Sequence, residues 1–117
     1  VQLDAPPKLA RPDKTIVLLP GDRPTAFMIP EFPRAVRFVH VSDWPYLYQT
    51  PDKGYEPIVR KMLIEHDGPL LALFGPQDDV RTPRVLERFD LRLTADCQPV
   101  KANLVPWAFR LCRVEKS

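Results

Sequence analysis

Glycine is scarce in this 117-residue chain, with four residues against fifteen prolines. Turns are therefore built from stiff residues rather than supple ones. The scarcity excludes a glycine-rich phosphate loop: Gly21 and Gly75 are solitary and fit neither GxGxxG nor GxxxxGK. Serine is scarcer still. Ser42 and Ser117 are the only two, and Ser42 lacks the flanking glycines of a nucleophile elbow. Cysteine occurs twice, at Cys97 and Cys112, a spacing that excludes a CxxC redox motif. The two histidines, His40 and His66, are not placed as zinc partners for them. An excess of one charge is also missing: 17 basic and 15 acidic residues are scattered along the chain, for a net charge of +2. Without a basic stripe, nucleic acid is not an expected partner. No uncharged apolar run approaches the roughly 20 residues that span a bilayer, and the first residues do not follow a signal-peptide pattern. No internal repeat or low-complexity tract is apparent.

What is present is ordinary for one globular domain, with 44% hydrophobic and 27% charged residues. The chain starts at Val1 rather than at a methionine, and Asp4 to Asp13 is rich in proline. The expectation is an extended tether over residues 1–14, leading into a single domain over 15–117 that is appended to a larger protein.

Three stretches share one layout, an apolar run followed by a tight turn carrying an acidic residue: Thr15–Leu19 with Asp22, Val36–Val41 with Asp43, and Leu70–Phe74 with Asp78 and Asp79. Near-continuous apolar runs read as strands buried on both faces, which belong mostly to parallel sheets covered by helices. Between them the pattern predicts a short helix over Pro24–Met28, stopped by Pro30 and Pro33, and a longer one over Tyr55–His66. In the longer helix Tyr55, Ile58, Val59, Met62 and Leu63 form one stripe, and Gly68-Pro69 ends it. Thr82 before Pro83 reads as an N-cap, with Val85, Leu86 and Phe89 as the buried face. Leu91, Leu93 and Ala95 alternate with Arg92, Thr94 and Asp96, as Trp107, Phe109 and Leu111 do with Ala108, Arg110 and Cys112, giving two strands expected to pair antiparallel at one edge. The predicted fold class is α/β: a three-layer, Rossmann-like sandwich with a mainly parallel sheet and an antiparallel C-terminal edge.

Cys97 and Cys112 fall in those neighbouring strands. A disulfide is favoured, and closing a loop of this size would contribute about 3 kcal/mol in the chain-entropy model. It would imply an oxidising compartment. Two half-buried thiols are the alternative.

Ligands of parallel α/β sheets bind outside the carboxyl ends of the strands, where the acidic turns would lie. The candidate binding residues are Asp22, Arg23, Asp43, Trp44, Tyr46, Tyr48 and Asp78. Trp44, Tyr46 and Tyr48 carry polar tips on apolar rings, suited to stacking on a sugar or to closing a lid over the sheet. His40, within its strand, reads as a buried hydrogen-bonded ring, and His66 as a complement to a helix C-terminus. No catalytic set of nucleophile, base and orienter is visible, and no metal or cofactor site is expected.

The order of several segments is familiar. A strand ending Leu-Pro-Gly-Asp-Arg-Pro, a second reading Arg-Phe-Val-His-Val, the helix end Glu65-His66-Asp67-Gly68-Pro69, and the close from Cys97-Gln98-Pro99-Val100 through Arg110-Leu111-Cys112 together form a module. From about Thr15 to Arg113 it resembles the C-terminal domain that follows the transmembrane helices in bacterial polytopic proteins of the glycosyltransferase-C type. The resemblance implies a non-catalytic domain at the periplasmic face of the inner membrane, supporting the membrane part or holding a glycan acceptor. Its partners would be the parent transmembrane segment in cis and a glycan or lipid-linked sugar. In that family the catalytic acids belong to loops of the membrane portion, so none is carried over, and the cysteine pair suits an extracytoplasmic placement. The rival expectation is a small-molecule or nucleotide-binding domain that uses Asp22, Asp43 and Asp78 at the carboxyl edge.

Overall fold

The computed structural model describes residues 8–21, 32–41, 55–101 and 108–117. Strands β1 (Ile16–Leu19), β2 (Arg37–His40), β3 (Leu70–Phe74), β4 (Leu91–Val100) and β5 (Phe109–Lys116) form one sheet in the order β2-β1-β3-β5-β4. β1 lies parallel to both β2 and β3, from Ile16 opposite Arg37 on one side and opposite Leu70 on the other. The C-terminal hairpin is antiparallel: β5 pairs with β3 and β4 pairs with β5. The fold is therefore α/β, with a mixed sheet that is parallel at its centre and antiparallel at its C-terminal edge, as the apolar runs and later alternation predict.

Every residue of β1 is buried, as a strand flanked on both sides and covered on both faces must be. On one face Ile16, Leu18, Ala72 and Phe74 pack against α1 (Tyr55–Glu65) and α2 (Arg81–Glu87) through Val59, Leu63, Val85 and Leu86. Fully burying a side chain of this size contributes about 1.5–3 kcal/mol relative to leaving it in water. The opposite face, built on Val17, Leu19, Leu73 and Leu111, is covered by Phe32 and Val36, with Leu9 and Phe38 packed against it. The rings of Phe32 and Phe38 meet edge to face at 5.2 Å. The helices among the described residues thus lie on one face. The predicted helix over Pro24–Met28 falls outside those residues.

Three local details differ from the sequence pattern. In α1 the buried stripe is narrower than predicted: Val59 and Leu63 are inside, but Ile58 is 68% exposed. Successive helical residues point about 100° apart, so a face centred on Val59 and Leu63 leaves Ile58 on the flank. Thr82 does not cap α2. It sits inside the helix, fully buried, and its hydroxyl donates to the Asp78 carbonyl at 2.8 Å, four residues back. His40, at the end of β2, is exposed rather than buried.

The C-terminal end of α1 is tied down from afar. The Lys116 ammonium, at the end of β5, donates to the carbonyls of Ile64 at 2.9 Å and His66 at 2.7 Å. A cation there satisfies carbonyls that a helix end leaves unpaired and complements the dipole. His66 turns its ring to Arg37, whose guanidinium is 3.5 Å from Nδ1, and to the Pro69 carbonyl, 3.4 Å from Nε2. Gly68 is required by close approach, since a Cβ there would collide with the Lys14 carbonyl oxygen.

β4 is interrupted. Leu93 faces Val114 and Cys97 faces Cys112, so Thr94, Ala95 and Asp96 together oppose Arg113. The Thr94 hydroxyl holds this bulge: it donates to the Arg113 carbonyl at 2.8 Å and accepts from the Asp96 N–H at 3.2 Å.

Candidate functional site: the carboxyl edge of the parallel strands

β2 and β3 flank β1, so the chain leaves β1 to one side and returns past it to the other. The crevice between the carboxyl ends of β1 and β3 is the point where strand order reverses, the usual binding position in open α/β sheets.

The turns after these two strands meet there. β1 is followed by Pro20 and Gly21, both buried. β3 is followed by Gly75 and a 3-10 turn over Pro76–Asp78, closed by the Asp78 N–H donating to the Gly75 carbonyl at 3.0 Å. That turn folds Asp78 back over the end of β1. Its carboxylate lies against the Gly21 Cα so closely that any side chain at position 21 would collide with it. Asp78 is 3% exposed, one of three buried polar or charged residues among the described residues, with Thr15 and Thr82. Burying a carboxylate is costly unless it is partnered, and Asp78 does have a partner. Thr82 anchors the Asp78 carbonyl from below.

Beside this crevice, β5 starts at the same edge because it runs antiparallel to β3, with Arg110 opposite Phe74. The Arg110 guanidinium sits over the Phe74 ring, 5.2 Å from its centroid, and reaches Asp79 Oδ1 at 3.4 Å. The edge therefore presents an exposed Arg110–Asp79 pair next to a buried Asp78. Asp79 belongs to the acidic turn predicted at this edge but is not among the seven candidate binding residues, and Arg110 is not predicted here at all. Arg110's place could be inferred only from alternation with Phe109 and Leu111, which says that it faces away from them but not that it meets Asp79.

Of the seven predicted binding residues, Asp78 stands at the predicted edge. Asp22, Arg23, Asp43, Trp44, Tyr46 and Tyr48 lie outside the described residues. The chain does enter the two segments that contain them, after Gly21 and after Val41, from this same edge. Cys97 and Cys112 form the predicted disulfide, joining residues directly opposite each other on β4 and β5 with Cα atoms 4.0 Å apart.

Among the described residues, no group of three or more His, Cys, Asp and Glu side chains could hold a metal ion, and no helix is long and apolar enough to cross a membrane. Comparison of the chain with protein-family models and with curated proteins finds no match.

Proposed function

We propose that this chain is a non-catalytic extracytoplasmic accessory domain of a membrane-embedded, glycosyltransferase-like protein, standing at the periplasmic face of the inner membrane. Its role there is to steady the membrane part or to help hold a glycan or lipid-linked sugar. The observation that carries the reading is the Cys97–Cys112 disulfide, which belongs in an oxidising, extracytoplasmic environment. The three-layer, Rossmann-like architecture belongs to the same proposal. It is supported by the β2-β1-β3 parallel trio and by the burial of Val17, Leu19 and Leu73 on the face away from α1 and α2. The test is the genomic reading frame upstream of Val1. A series of apolar segments of about 20 residues is expected there. A start codon with no such segment would refute the appendage, and native protein with two free thiols would refute the compartment.

A second reading has its own support in the Gly21–Asp78 juxtaposition at the β1/β3 crevice. A small-molecule or nucleotide-binding domain would use that edge, with the carboxylate accepting from hydroxyl groups of a sugar or ribose. A thermal-shift screen against nucleotides and sugars decides it. A saturable stabilisation that is lost in Asp78→Asn favours this reading, and a flat response across the screen removes it.

A further inference from the structure

We infer that the Cys97–Cys112 disulfide is a redox-sensitive clasp on the N-terminal segment: it holds Gln98 in place, and Gln98 fastens the chain at Lys8 to the sheet. The Gln98 side chain forms a reciprocal pair with the Lys8 backbone. The Lys8 N–H donates to Gln98 Oε1 at 3.0 Å, and Gln98 Nε2 donates to the Lys8 carbonyl at 3.0 Å. This is the two-bond pattern by which one strand receives another, supplied here by a side chain. Leu9 follows and packs on the sheet face that contains Val100, Phe109 and Leu111. The chain is thus fixed at Lys8 by Gln98 and at Leu9 by the sheet.

Gln98 lies in the last short stretch of the β4–β5 ladder, where Cys97, Gln98, Pro99 and Val100 face Cys112, Leu111, Arg110 and Phe109. β4 has no partner on its outer side among the described residues. Immediately upstream the ladder to β5 is broken by the bulge at Thr94, Ala95 and Asp96. Within the stretch Pro99, opposite Arg110, has no N–H to give. The covalent link at Cys97 therefore closes this short ladder on the side of the bulge. It is also reachable: Cys97 is exposed, whereas Cys112 is fully buried. A dithiol reductant would attack Sγ of Cys97. The S–S bond breaks, Cys112 leaves as a thiolate and takes up a proton, and a mixed disulfide remains at Cys97. The second thiol of the reductant then attacks its own sulfur in that mixed disulfide, releasing Cys97 as a thiol. The protein gains two electrons and two protons, and the dithiol becomes a disulfide. The end of β4 then loosens, and with it the Lys8 pair.

Tryptic cleavage of the Lys8–Leu9 bond, followed by mass spectrometry, reports on this docking in the 117-residue chain. Three proteins are compared: oxidised wild type, Cys97→Ser/Cys112→Ala, and oxidised Gln98→Ala. Cleavage at Lys8 is expected to rise about tenfold in both variants, the mark of local rather than global opening. Cleavage within α1, after Arg60, is expected to stay at the wild-type rate in Gln98→Ala and to remain far slower than cleavage at Lys8 in the cysteine variant. An unchanged rate at Lys8 in either variant overturns the clasp. Cleavage at Lys8 and Arg60 at the same rate in the cysteine variant also overturns it, because both bonds would then be reached only through unfolding of the whole domain.

Discussion

All four side chains of β1 are buried, whereas of the ten residues of β4 only the first and last, Leu91 and Val100, are. The two strands belong to one sheet but are held in different ways. β1 is fixed by apolar packing on both faces and by parallel neighbours on both sides. β4 borders one strand among the described residues and is held by the disulfide, by the Thr94 hydroxyl in its bulge, and by charged pairs. Arg92 and Arg113 both reach Glu115, and Arg113 also reaches Asp96 at 3.5 Å. The bulge, Pro99 and the charges along β4 also discourage another strand from adding to that edge. A parallel centre stabilised by burial tolerates little change in its side chains. The antiparallel edge can change them more freely and adds one covalent bond to its backbone pairing.

The sharpest way to break the comparison is to hollow out the centre. Leu18 is fully buried in β1 against the two helices. Leu18→Ala is expected to cost about 3–5 kcal/mol through lost burial and the cavity left behind. Leu93, only partly buried in β4, should cost well under half as much when changed in the same way. Urea denaturation of the two variants measures both. Similar losses would mean that the two halves are not held differently.

Next in size is the covalent bond. The disulfide joins residues 15 apart in sequence, and its removal in Cys97→Ser/Cys112→Ala is expected to destabilise by about 3 kcal/mol. The same denaturation experiment reads this loss. A loss below about 1 kcal/mol would mean that packing and polar contacts already fix the edge, at the bottom of the range for native disulfides.

The contrast also sorts what could be read from the sequence. β1 and β3 are legible because burial on both faces leaves a local mark, the runs Ile16–Leu19 and Leu70–Phe74. The hairpin is legible because one covered face leaves alternation. The bulge is not, since Thr94-Ala95-Asp96 looks like any polar stretch of a half-exposed strand. Thr82 misleads because a threonine before proline has the same appearance at a cap and two residues beyond it, in the first turn of a helix. His40 misleads because its apolar neighbours say nothing about the end of the strand reaching solvent. The contacts that finish the structure join residues far apart: Lys116 with the end of α1, Gln98 with Lys8, Arg110 with Asp79. No local pattern encodes them. Of the candidate site, Asp78 was visible as an acid in the turn after a buried strand. Its collision course with Gly21 appears only once β1 and β3 are set side by side.

The smallest expected effect concerns charge on the antiparallel edge. The Arg92 guanidinium hydrogen-bonded to Glu115, with Arg113 adding a second nearby positive charge, lowers the carboxyl's affinity for protons relative to the unfolded chain; partial burial opposes this without reversing it. A depressed folded-state pKa has a definite sign. The contribution is fully present above the unfolded value, near 4.5, and disappears as pH falls through the lower folded value. Wild type should therefore lose more stability than Glu115→Gln between neutral pH and the acid side of that value. Because Arg92 and Arg113 are largely exposed, added salt should shrink the difference. Urea denaturation across this pH range at low and high ionic strength makes the measurement. If Leu18→Ala shows the same additional pH dependence, the charge network is coupled to the apolar centre and the two halves of the sheet do not respond independently. If only Glu115→Gln alters the acid limb, the edge carries its own pH sensitivity while the parallel centre is indifferent to it.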